Sequence, residues 1–198
     1  MNSTNQPLQA LEASIQLARQ NFEEAKTDLA LKHIKEGLQI DEYNAQLLEI
    51  AASTHLRSNN NLEAITYAQQ LITHHPRNPH GYSRHAQALL QQKQPFDANQ
   101  MALSGLQEAP HNQQLLALAS ESYQALERWD QSLVLANQLI EFHPSLHLGY
   151  LKAAQTLLKL NKPNEASSIA ERGLKAKPNH PHLHSIASEA YRARHLHN

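Results

Sequence analysis

The side chains best equipped for chemistry in this sequence are its fourteen histidines, and no cysteine accompanies them. Thiolate ligands, thiol nucleophiles and disulfides are therefore excluded. The histidines crowd towards one end: His180, His182 and His184 open the last apolar-periodic stretch, and His195 and His197 close the chain. His180 and His184 stand four apart and could share a helix face, but His180 falls on the capping position outside the helix, and His182 points elsewhere. A dedicated metal site normally adds a carboxylate or thiolate and outer hydrogen bonds that orient the ligands. The expectation is a polar helix end with no metal. His75 and His143 fall at helix ends, where a partly protonated imidazole is favoured by the C-terminal carbonyls.

Other reactive constellations are absent from the sequence. It has no phosphate-cradling loop with its lysine, no His-Glu-x-x-His and no Gly-x-Ser-x-Gly, and its carboxylates are scattered rather than paired. No catalytic residue and no cofactor is expected, and the chain is not expected to be an enzyme. Seventeen basic residues against eighteen acidic ones leave a net charge of -1, so no field draws the chain to nucleic acid or an anionic membrane. Protonating all fourteen histidines would carry that charge from -1 to +13, so pH-dependent behaviour is expected in acid. Residues 1–20 lack a basic start followed by an apolar run, and no apolar stretch is long enough to span a bilayer. A soluble cytoplasmic protein is the default expectation.

The elements that position these side chains are set by a repeat. Pro76, Pro110, Pro144 and Pro178 follow one another at intervals of thirty-four residues, and that period means stacked supersecondary units. Blocks starting at Ala45, Pro79, Gln113 and His147 align without a gap, and a fifth starting at Leu11 joins them with Glu42 in the proline place. The eighth place holds Ala18, Ala52, Ala86, Ser120 and Ala154, with Ser188 in a truncated sixth copy; the twentieth holds Ala30, Ala64, Ala98, Ser132 and Ala166. Only small side chains stand at both places, as closely crossing helices require. The twenty-eighth place is large and apolar: Leu38, Ile72, Leu106, Ile140 and Leu174.

Small residues at places eight and twenty, an apolar residue at twenty-eight and proline at thirty-two resemble the tetratricopeptide repeat, from residue 11 to the C-terminus. The bulky aromatic that the family often has at place twenty-four is replaced here by Ile34, Ala68, Ala102, Ala136 and Ala170, so the second helices are expected to sit closer together. The resemblance implies an all-α, right-handed solenoid of antiparallel helical hairpins in one continuous domain. Its segments are a polar lead-in with the start of the first helix over 1–10, repeats over 11–44, 45–78, 79–112, 113–146 and 147–180, and a capping helix with its tail over 181–198.

Along the chain, residues 1–6 read as a loose polar lead-in, and Pro7 as the first residue of a helix reaching about Ala25. A second helix follows from about Thr27 to Ile40. Later hairpins turn near Asn59-Asn60, Lys93-Gln94, Glu127-Arg128 and Asn161-Lys162. A longer period of sixty-eight residues lies over the first: Gln46-Leu47-Leu48 returns as Gln114-Leu115-Leu116, and Gly81-Tyr82 as Gly149-Tyr150. The five glycines Gly37, Gly81, Gly105, Gly149 and Gly173 all follow these periods, and they read as sites of close helix packing. Residues 181–194 read as a terminal cap with Leu183, Ile186, Ala187, Ala190 and Tyr191 on its apolar face, which weighs against truncation in mid-stack.

Proteins of the resembling family act through a groove lined by their first helices, at places two, five, nine and twelve. Carried onto this chain, places five and nine offer Arg19, Glu49, Ser53, Ser83, Gln87, Ala117, Glu121, Leu151, Gln155 and Glu189, with Ile15 and Ser185 at the ends of the fifth-place series. The family's chaperone-binding members use lysine at place five and asparagine at place nine of their first repeat. Here Ile15 and Arg19 stand there, so chaperone tails are poor ligands. Phe22, Leu56, Leu90 and Leu158 at place twelve read as packing between repeats rather than ligand contacts. The implied function is a scaffold that binds a peptide or helix of a partner protein in its concave groove. The alternative is a regulatory or substrate-guiding module of a transferase-type enzyme whose catalytic part is not in this chain. Self-association through the uncovered first helix is a further expectation.

Overall fold

The computed structural model describes residues 5–196; residues 1–4 of the expected lead-in and tail residues 197–198 lie outside the described residues, as does the side chain of His195. Among the described residues the chain forms eleven α-helices in two compact units, Met1–Gln94 and Pro95–Asn198. The first unit holds α1 (Asn5–Glu23), α2 (Thr27–Ile40), α3 (Ala45–Arg57), α4 (Asn61–His74) and α5 (Pro79–Gln91). The second holds α6 (Pro95–Glu108), α7 (Gln113–Ala125), α8 (Trp129–Phe142), α9 (His147–Lys159), α10 (Pro163–Ala176) and α11 (Pro181–Leu196). Three bounds differ from the sequence reading: α1 begins at Asn5, two residues before Pro7, and ends at Glu23, short of Ala25, and α11 runs on past Arg194. In both units each helix packs on the next, and α1, α3 and α5, like α7, α9 and α11, also pack on one another. Each unit thus presents one layer of odd-numbered helices.

Helix ends are set by local chemistry. Asn44, Asn78 and Asn112 cap α3, α5 and α7 by accepting backbone N–H groups with their side-chain oxygens. The odd helices stop at residues in the left-handed conformation: Ala25, Asn59 and Lys93 in the first unit, Glu127 and Asn161 in the second, with φ of 56–59°. Around each, the next N–H reaches the carbonyl five residues back, as Asn60 does to His55 and Arg128 to Tyr123. This closure saturates the final carbonyls, and glycine usually supplies it. No glycine has positive φ here. Gly37, Gly81, Gly149 and Gly173 serve helix crossings instead: a Cβ on Gly173 would lie 2.6 Å from the Tyr150 Cβ, and one on Gly81 would lie 2.9 Å from Ile72 Cγ1.

The repeat places form the core. In all five copies the residues at places eight and twenty are fully buried, and Ala68, Ala102, Ala136 and Ala170 at place twenty-four are too. Ser120 and Ser132 use that position differently from alanine. Their hydroxyls lie 2.9 Å apart, each donates to the other's backbone carbonyl, and Thr156 Oγ1 joins at 3.3 Å. A buried hydroxyl must be satisfied, and this knot satisfies three. Ser188, in the truncated copy, is exposed, and its hydroxyl donates back to the His184 carbonyl. On α11, Leu183, Ile186, Ala187 and Ala190 are buried as expected. Tyr191 is not: the residue is 40% exposed and its hydroxyl donates to the Glu171 carboxylate, because the phenol end is better served by water and a carboxylate than by burial.

His75 and His143 are the residues that follow α4 and α8. Their rings do more than meet a helix end. Nε2 of His75 donates to the Tyr43 carbonyl and Nε2 of His143 to the His111 carbonyl, each at 2.6 Å, tying a second helix to the loop before the paired first helix. Tyr43 stacks on His74 and His111 on Phe142 at the equivalent places, with aromatic and imidazole exchanged.

Candidate functional site

In the first unit the odd-helix layer brings a small charged group together. Arg19 is exposed on α1 and donates to Gln46 Oε1 at 3.1 Å. Glu49 on α3 is half-buried, with Oε1 3.3 Å from His80 Nδ1 and 3.9 Å from an Arg84 guanidinium nitrogen. Burial pulls the Arg84 pKa below its ordinary value, and the Glu49 carboxylate opposes that shift. Ser53 and Gln87 are half-buried. Ser83 is 1% exposed and its hydroxyl donates to the His80 carbonyl, so it serves the helix rather than the surface. His85 carries an Nδ1 with no hydrogen-bond partner, and burial lowers its pKa. It occupies the seventh repeat place, where alanine stands as Ala51, Ala119 and Ala153.

The second unit gathers the other candidates around a cleft. Ala117 is buried at the fifth place, Leu151 is half-buried, and Glu121, Gln155 and Glu189 are exposed. Glu121 accepts from Lys152 Nζ at 3.0 Å, and the aliphatic stem of Lys152 is buried beside it. A cleft of about 490 Å³ is lined by Gln124 of α7, Trp129 of α8, Gln155, Leu158 and Lys159 of α9, and His182, Ser185, Ile186 and Glu189 of α11. Gln124 is fixed by donating to Thr156 Oγ1 at 2.9 Å, which leaves its carbonyl oxygen as an acceptor. The lining is an apolar set of Trp129, Leu158 and Ile186 among amides, a hydroxyl and charges of both signs. Such a lining can seat an apolar side chain and hold a peptide backbone.

The family-derived places supplied Gln155 and Glu189 to this cleft. Gln124 at place twelve and His182 at place two also follow the family pattern, though neither is among the groove residues drawn from places five and nine; the pattern did not supply Ile186, Lys159 or Trp129. The last sits at the first position of a second helix, and its signal in the sequence was being the chain's single tryptophan. Leu158, read as packing, is half-buried and shared between packing and the cleft wall. Among the described residues, no group of three or more histidines and carboxylates is placed to hold a metal ion, and no helix is long and apolar enough to cross a membrane.

No protein-family model matches the chain. A curated relative, a STIP1 homolog of Dictyostelium discoideum, is 35% identical over 81 residues, which is 41% of this chain and 14% of that protein. This chain thus spans a small part of the relative's length. Among solved structures, a thermophilic TPR protein of Thermus thermophilus superposes with a TM-score of 0.73 at 17% identity, covering 91% of this chain and 98% of that one. YrrB, a TPR protein with an unusual peptide-binding site, superposes at 0.68 with 14% identity, covering 90% of each chain. With the repeat places buried as the tetratricopeptide pattern requires, the chain has the all-α helical-repeat fold of tetratricopeptide repeat proteins.

Proposed function

We propose that this chain is a protein-interaction module that holds an extended peptide or a helix of a partner protein on its odd-helix layers, with the second-unit cleft as the principal anchor. The observation that carries this reading is the meeting of Trp129, Leu158 and Ile186 with the Gln124 and Gln155 amides in one open cleft. An apolar anchor residue would fill the centre while the amides hold its backbone, a pattern with weak dependence on salt. The peptide-binding site of YrrB belongs to that protein, and it adds a precedent for this fold. Within the first unit, Glu49, Ser53 and Gln87 are proposed as contacts of that unit's own odd-helix layer, with Arg19 a polar residue of the same layer; Glu121 is proposed as a polar residue of the second unit's layer. Buried Ser83 and Ala117 are proposed only as supports beneath those layers.

Affinity capture from a lysate of the source organism tests this. The native chain should retain a partner that a Gln155→Arg, Glu189→Arg double variant loses, both folded by circular dichroism. A partner retained equally by both would remove the cleft from the account.

A further inference from the structure

The residue before each first helix is a cap position, and the sequence fills it with Asn44, Asn78, Asn112, Leu146 and His180. Asn44 accepts from the Leu47 N–H, Asn78 from His80, and Asn112 from Gln114 and Leu115. His180 performs the same task with a ring nitrogen: the Leu183 N–H donates to its Nδ1 at 3.3 Å. An amide oxygen accepts at any pH, whereas Nδ1 accepts only when it carries no proton. Once protonated, the ring would lose the bond and place a positive charge at the helix N-terminus, where the backbone dipole disfavours it.

The surroundings act in the same direction. From α9, His147 stacks on His180 with 4.3 Å between ring centroids, and from α11 itself His182 stands at 5.8 Å. The link after α10 contributes Lys177, which raises the cost of a proton on either His180 or His147. His184 is turned away, its Nε2 donating to the Pro178 carbonyl at 2.7 Å. On α10, Glu171 is engaged by the Tyr191 hydroxyl and Arg172 lies over the Tyr150 ring. Desolvation first, then Lys177 and His182, hold His180 below the ordinary histidine pKa; desolvation, then His180 and Lys177, do so for His147. The folded state therefore favours neutral rings. Their stabilisation is present above the ordinary value of 6.5 and is lost as the pH falls through the lower folded values.

We propose that His180 is a titratable cap that frees the start of α11, and with it one wall of the cleft, when it takes up a proton. Four cleft residues ride on α11, namely His182, Ser185, Ile186 and Glu189, so loosening that helix dismantles the cleft. The effect on ligand binding rests on the peptide reading above; the release of α11 does not.

Amide hydrogen exchange on the full chain without ligand, corrected for intrinsic rates, tests the release alone. Between pH 7.5 and pH 5, protection across the first turns of α11 should fall at least about threefold more than in α3, in keeping with the loss of a cap. His180→Asn, which restores the cap used elsewhere, should abolish that excess. His180→Ala should show low α11 protection at both pH values. An unchanged α11 in the native chain, or the same loss in His180→Asn, would overturn the proposal. If His180→Asn fails to fold, a pH-dependent loss persisting in His180→Ala would overturn it equally. Loss of the partner by the cleft variant bears on the peptide reading, so the two failures are distinguishable.

Discussion

The two units carry copies of the same sixty-eight-residue plan, and they differ in charge and hydrogen bonding even at buried places. Place six is basic in both, as Arg84 and Lys152. In the first unit the cation leans towards Glu49 at place five of the preceding repeat, at 3.9 Å, beside a histidine. In the second, Ala117 occupies the corresponding fifth place, and the cation bonds Glu121 at place nine instead, at 3.0 Å. Place seven is His85 in one and Ala153 in the other; the small pair at eight and twenty is Ala52–Ala64 in one and Ser120–Ser132 in the other. The lesson is that copying preserves volume at the crossings, while charge and hydrogen-bonding capacity drift around it. The second unit's cleft arises from such drift, with Trp129 and Lys159 added at places the repeat leaves open.

If volume is the shared constraint, breaking it should be equally costly in both units. Ala86→Leu and Ala154→Leu should each destabilise by about 1–3 kcal/mol or more through overpacking, read by urea denaturation. Gln87→Ala, next in sequence to the first, should be nearly silent. A similar cost for Gln87→Ala would show the register to be misplaced.

The serine pair sharpens the contrast. Ser120→Ala alone strands part of a buried network and should cost about 1 kcal/mol, whereas Ser120→Ala with Ser132→Ala recreates the alanine pair of the first unit and should recover much of that loss. A double-mutant cycle with no coupling would show the hydroxyls to be independent. In the first unit, the difference lies in His85. Burial depresses its pKa, so its neutral form stabilises the fold above the ordinary value of 6.5, and that contribution is lost as the pH falls through the lower folded value. His85→Ala should flatten the acid dependence of α5 hydrogen exchange. A dependence as steep as the native one would assign it to other groups.

The smallest effect belongs to the turns. Glu127 bears a left-handed conformation with φ of 57° that costs a side-chain-bearing residue roughly 1 kcal/mol, so Glu127→Gly should stabilise by about that amount. Asn59→Gly should gain less, since asparagine tolerates this region, and equal gains would remove the residue distinction.

The packing plan was legible because volume leaves a mark in residue type: small at places eight and twenty, glycine at crossings such as Gly173. The turns were located to the residue pair, but their left-handed closures were not, because Ala25, Lys93 and Glu127 carry none of the usual glycine signal. Ser120 and Ser132 read as merely small, since sequence shows volume more plainly than the partner of a hydroxyl. Tyr191 read as core from its spacing, yet its hydroxyl decides its place. Of the proposed site, Gln155 and Glu189 were reachable through the repeat places. Trp129 was not, because it reaches the cleft from the start of a second helix, outside the first-helix pattern used to find the rest.

The proposed role of the second-unit cleft is to hold a peptide. The most direct test selects binders from a displayed peptide library on the full chain and measures Kd for the native protein and the Gln155→Arg, Glu189→Arg variant. The account predicts peptides with a shared apolar anchor that bind the variant at least about tenfold more weakly, a difference of roughly 1.4 kcal/mol. No enrichment, or peptides that bind both proteins alike, would contradict it.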